Sequence, residues 1–260
     1  MVITSNGPGH QPWPVPEACS LGGNIKVQEI TNKAIKEAKK IKKALARKMI
    51  DHLPEETAPI SIFMAGSPGA GKTETAKHMI STFRNDFSVE LVHIENDELR
   101  KEFPDYEGLN SSLFQTPATI LVEAIHDRAL KRDVSFILDS TLSSFEKAKS
   151  NIQRSLKRNR TVLIIFVYQE PTQAWHLVQA REIIEGRRVP KEVFVKQFLN
   201  SQQVVSKLKA MFGEQIDITF IEKNLDNNND KPHYNVSNID ALLAKKYNRA
   251  MLETIVGLKQ

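Results

Sequence analysis

The feature that most narrows the folds open to this chain is the octapeptide GSPGAGKT, Gly66 to Thr73, directly after the apolar run PISIFMAG. It fits G-x-x-x-x-G-K-[ST] in the context that gives the pattern meaning, a buried strand before it and a helical pattern after it. Glycines let a backbone wrap an anion without Cβ clashes. The freed N–H groups at the start of the following helix then point at a phosphate. Lys72 adds a charge within reach of β- and γ-phosphates, and the Thr73 hydroxyl can ligate Mg²⁺. Gly66, Ser67, Pro68, Gly69, Ala70, Gly71, Lys72, Thr73 and Thr75 are therefore the candidate nucleotide-binding residues. ATP with Mg²⁺ is the expected cofactor pair.

The rest of the chain supplies a matching frame. Apolar runs recur at VELVHI (89–94), VSFILD (134–139), TVLIIFVY (161–168) and DITFIE (217–222). Helical patterns separate them, among them Ala118 to Lys131 and Phe145 to Lys157. Strands alternating with helices imply right-handed crossovers and a buried parallel sheet. The expected class is α/β, three layers, with a five-stranded parallel sheet and helices on both faces. NLDNNNDKPHYN (224–235) reads as a polar loop, and Ile239 to Leu258 as a closing helix.

Before this frame stand a Pro/Gly-rich segment, 1–23, expected to be a flexible arm, and an amphipathic helical extension, 24–53. Val27, Ile30, Ala34, Ala38, Ile41, Leu45 and Met49 form its apolar stripe, and Pro54 ends it. Residues 54–260 are expected to form the domain that carries the phosphate loop. Asn24 to Ile50 carries nine Lys/Arg and two Glu, a local charge of +7 in a chain of net +5, so the remainder is −2. The basicity belongs to one helix, and nucleic acid is not expected as the partner of the domain. A single cysteine, Cys19, no membrane span and no secretory leader point to the cytoplasm.

Ligands of such sheets sit beyond the carboxyl ends of the strands. The second strand runs into HIENDELRKEFPDYEG (93–108), and the third ends at Asp139 in FILDST. Transfer of a phosphate to a hydroxyl needs a carboxylate beside that hydroxyl. Asp97 is the candidate base, with capping of the segment DELRKEF as its structural alternative. Asp139 is placed to hold Mg²⁺ or to contact an acceptor, together with Glu98 and Thr141. Glu95 and Glu98 read as solvated side chains, and His93, alternating with Val92 and Ile94, as structural. QAREIIEGRRVPKEVF (179–194) brings Arg181 on a helix ending near Gly186, and Arg187 and Arg188 on the turn before Pro190. Three cations there suit a lid over the nucleotide.

Together, GSPGAGKTETAK, IENDELRKEFPDYE, FILDSTLSS and AREIIEGRRVPKE resemble the zeta-toxin kinases of bacterial toxin–antitoxin systems, over about residues 58–225. The resemblance implies a P-loop kinase fold. It implies transfer of the ATP γ-phosphate to a hydroxyl of UDP-N-acetylglucosamine, and so a toxin that blocks cell-wall precursor synthesis. It places the base on Asp97, the phosphate-loop lysine on Lys72 and the lid arginines on Arg181 and Arg187. The third-strand acid, usually Glu, falls on Asp139, one carbon shorter. An antitoxin protein is an implied partner, and residues 24–53 could play the same part in cis, beside the plainer reading of a packed structural helix. Two other functions stay open at this point. One is a kinase for an antibiotic, a nucleoside or a polynucleotide end. The other is a nucleotide-driven switch or NTPase.

Overall fold

The computed structural model of the protein describes residues 21–223 and 230–258. The elements follow in the order α1 (Leu21–Ile50), β1 (Ile60–Ala65), α2 (Lys72–Phe87), β2 (Val92–Glu95), α3 (Asn96–Leu99), α4 (Gln115–Lys131), β3 (Phe136–Asp139), α5 (Phe145–Leu156), β4 (Thr161–Tyr168), α6 (Pro171–Glu185), α7 (Lys191–Phe212), β5 (Asp217–Glu222), β6 (Lys231–His233) and α8 (Arg249–Ile255).

The sheet order is β2-β3-β1-β4-β5-β6. The first five strands are parallel, and β1 lies between β3 and β4, so the chain winds out to both sides of it. Side chains of the central strands alternate between two apolar layers. Phe63, Ile94, Phe136, Leu138, Ile164 and Phe166 enter the larger core beneath α4 and α7. Ile62, Met64, Ile137, Ile165 and Val167 face the smaller core shared with Ala76 of α2. Both faces are thus covered, which is why these strands read as unbroken apolar runs.

Three expectations are corrected. The sheet has a sixth strand, β6, antiparallel to β5, inside the stretch expected to be a loop; residues 224–229 of that stretch lie outside the described residues. Three residues are too few to show a period, and Pro232 is tolerated because the strand is at the edge. The closing helix expected over 239–258 is broken: a 3₁₀ turn spans Ile239–Ala241, and α8 starts only after Asn248. Asn238 and Asn248 turn their side-chain oxygens to the backbone N–H groups of Asp240 and Met251, which favours helix starts over helix interiors. Finally, α1 begins at Leu21, three residues inside the expected arm, whose residues 1–20 lie outside the described residues.

α1 packs along α4. Ala34, Ala38, Ala46 and Ile50 are buried in the same apolar cluster as Leu121 and Phe136, while Lys33, Lys36, Lys39, Lys40, Lys43 and Lys48 are exposed. Asp51, just past α1, pairs with Arg128 of α4 at 2.6 Å, and Lys33 of α1 pairs at the surface with Asp105 of the turn that follows α3, at 2.7 Å. No helix among the described residues is long and apolar enough to cross a membrane.

Candidate active site

The phosphate loop links β1 to α2. Gly66 has φ +136°, and a Cβ on it would lie 2.2 Å from the Val167 carbonyl oxygen. At Gly69, φ is +75° and a Cβ would lie 2.1 Å from the Ala174 carbonyl oxygen. Only glycine fits either place, because the loop is pressed on the backbones of β4 and α6. Ser67, Pro68, Gly69 and Ala70 are all buried. Gly71 is the left-handed residue from which α2 starts. The Thr75 hydroxyl donates to the Gly71 carbonyl at 2.9 Å, so it serves the first turn of the helix.

Lys72 Nζ donates to the Ser67 carbonyl oxygen at 2.7 Å, folding back over the loop. Burial pushes its ammonium down to about 8, partly opposed by Asp139 and Asp97 and reinforced by Arg181 and Arg187. Charge held there at such cost marks a site prepared for an anion.

Four side chains converge at the carboxyl ends of β2 and β3. In the parallel register Glu95 stands opposite Asp139. The Thr73 hydroxyl donates to Asp139 Oδ2 at 2.7 Å, and Glu95 Oε1 lies 3.4 Å from the same hydroxyl oxygen. His93 Nε2 is 3.6 Å from Asp139 Oδ2 and 3.9 Å from Glu95 Oε2, too far for good hydrogen bonds. Burial would raise the Asp139 carboxyl, but the His93 imidazole, Lys72 and Thr73 outweigh it and hold it below its ordinary value. Burial and the neighbouring Asp139 charge push Glu95 up. Glu95, 9% exposed, is therefore not a solvated side chain, and His93 is part of this cluster. A signal for both was present in the sequence. Residues two apart on a strand share a face, and Val92 and Ile94 take the core side, so His93 and Glu95 turn together toward α2.

Asp97 is the second residue of α3. Glu95, not Asp97, stands at the cap position, so the capping alternative is not what the structure adopts. The Asp97 carboxylate is gripped by two guanidiniums, Arg100 at 2.9 Å and Arg187 from the segment after α6. Arg181 pairs with Glu74 of α2 at 2.6 Å, tying α6 to the phosphate-loop helix. Arg188 is exposed, 3.8 Å from Glu182. Glu98 is exposed and pairs with Lys101 at 2.8 Å, outside the convergence. Thr141 contributes its carbonyl to Gly66 N–H at 3.4 Å, and its hydroxyl meets Ser143 at 3.0 Å.

The fold and the loop define a P-loop phosphotransferase. The Zeta toxin family model matches residues 43–237, most of the chain, and the chain belongs to that family. Among solved structures, a chain from the PezAT chromosomal toxin–antitoxin system of Streptococcus pneumoniae is 16% identical, with a TM-score of 0.60 over 88% of this chain and 95% of that one. The AvrRxo1-ORF1:-ORF2 structure with ATP is 13% identical, with a TM-score of 0.55 over 88% and 78%. At these identities the likeness is one of fold. No curated protein matches the chain.

Proposed function

We propose that the protein moves the γ-phosphate of ATP to a hydroxyl of a UDP-amino sugar, UDP-N-acetylglucosamine, and acts as a zeta-type toxin. The observation that carries the reading is Asp97, near enough to Lys72 of the phosphate loop to act on its charge and held by Arg187 from the segment after α6. A dedicated acceptor site needs such a carboxylate, whereas a switch or NTPase needs a residue that positions water.

The loop N–H groups and Lys72 would hold the β- and γ-phosphates. Arg187 would exchange Asp97 for the γ-phosphate as nucleotide arrives, which frees the carboxylate to accept the proton of the acceptor hydroxyl. Arg181, released from Glu74, would face the same developing charge. Thr141 is assigned to the acceptor side; Glu98 and Arg188, exposed and facing Lys101 and Glu182, would have to leave those partners to reach acceptor and nucleotide. Mg²⁺ fits the donors present: the Thr73 hydroxyl, Asp139 and Glu95, whose Oε2 has no hydrogen-bond partner. When bound, the ion would neutralise phosphate charge and fix its orientation.

A protein partner is part of the proposal, since the PezAT neighbour comes from a toxin–antitoxin system. For α1 we favour a structural role over inhibition in cis, because its buried face lies along α4. The compartment that fits this substrate is the cytoplasm.

The test is transfer of labelled γ-phosphate from ATP to UDP-N-acetylglucosamine. Label on the sugar nucleotide, reduced by a factor of about 10² or more in Asp97→Ala while ATP still binds, is the expected result. Label on a different compound from a cell extract would retain the kinase and discard this acceptor. ATP turnover without any labelled acceptor would favour the NTPase.

A further inference from the structure

His93, Glu95 and Asp139 place one imidazole nitrogen and two carboxylate oxygens within 4.8 Å of one another. The cluster is more than a group of acids near a phosphate. Glu95 is 9% exposed, and its Oε2 has no hydrogen-bond partner. His93 Nε2 is also buried and makes no hydrogen bond, although it faces both carboxylates, 3.6 Å from Asp139 Oδ2 and 3.9 Å from Glu95 Oε2. Two buried polar atoms without hydrogen bonds that converge on one point are costly unless something occupies it. Lys72 does not supply the missing partner: its ammonium donates to the Ser67 carbonyl and makes no hydrogen bond to Glu95 Oε2.

A divalent cation answers each requirement. Two carboxylates balance its charge, and a neutral imidazole adds a lone pair. The Thr73 hydroxyl, 2.7 Å from Asp139 Oδ2, is adjacent as a fourth donor. The donor set is also selective. Mg²⁺ takes oxygen ligands and keeps its waters, whereas imidazole favours first-row transition ions. We propose that His93, Glu95 and Asp139 form a divalent-cation site that fills before nucleotide arrives and prefers a first-row transition ion to Mg²⁺. The proposal rests on the reading that a divalent cation sits beside Thr73, and it names the nitrogen ligand and metal class of that position.

The probe is Mn²⁺ added to the full chain without ATP or acceptor, followed by electron paramagnetic resonance. The expected result is stoichiometric binding at micromolar concentrations, with ¹⁴N coupling from one imidazole. Mg²⁺ should compete about tenfold or more less well. His93→Gln should abolish the nitrogen coupling and weaken Mn²⁺ by about tenfold, leaving Mg²⁺ affinity within about twofold. Binding that requires ATP, or bound Mn²⁺ without nitrogen coupling, overturns the proposal. The wild-type spectrum decides this even if the variant fails to fold. The outcomes also separate the two readings. Nitrogen-ligated Mn²⁺ in a protein that labels no acceptor would refute only the kinase substrate. Phosphate transfer with no nitrogen coupling would refute only the metal site.

Discussion

Replacing Lys72 by methionine should make the nucleotide-free protein more stable while destroying its activity. Burial depresses the Lys72 ammonium from 10.5 to about 8. At about 1.4 kcal/mol per pH unit, holding that charge in place at neutral pH costs about 3 kcal/mol. Part of the side chain reaches solvent, so this is an upper figure. Methionine keeps the length of the stem and removes the charge. It also strips the Ser67 carbonyl of its donor, a loss of about 1 kcal/mol. The balance is a gain of about 1–2 kcal/mol, or about 2–8 °C in Tm for a domain of this size. The sign can be checked by pH. The folded protein releases the Lys72 proton near 8 and the unfolded chain near 10.5. Between these values the unfolded chain binds more protons, so wild-type stability rises with pH. The assay is differential scanning calorimetry of both proteins without nucleotide, from pH 6 to 10. The variant should lead at pH 6–7 and the gap should close toward pH 10. A variant less stable than wild type at pH 7, or a gap independent of pH, refutes the reasoning.

Two further outcomes concern the scaffold. Gly66→Ala should cost about 3 kcal/mol or more in urea denaturation, because its Cβ meets the Val167 carbonyl at 2.2 Å, whereas Gly71→Ala should cost about 1 kcal/mol, its Cβ meeting nothing nearer than the Lys223 side chain at 3.3 Å; equal costs would contradict the packing argument. Ile50→Ala should cost about 2–4 kcal/mol, since this residue of α1 is wholly buried in the main core. A chain lacking residues 1–52 that keeps the wild-type Tm would show instead that the helix is detachable.

The parts legible in advance share one property, that their information is local. The phosphate loop could be placed because glycine spacing, Lys72 and Thr73 are eight contiguous residues whose conformation follows from backbone freedom and charge. β1 to β5 could be located because strands covered on both faces must be apolar throughout. α6 ends at Gly186 as its sequence implies, with the glycine in the left-handed conformation at φ +68°.

What the amino-acid order determined by itself was therefore the class of fold, the nucleotide loop and the candidacy of Asp97. Tertiary structure decided what those groups face. The β2–β3 register sets Glu95 against Asp139 and turns His93 toward them. Arg187 reaches Asp97 across 90 residues of sequence. β6 exists because the edge of β5 offers it backbone partners. α1 is held because α4 presents an apolar face that must be covered. Each is a contact between distant segments, and its energy depends on register and packing that no short window of sequence contains.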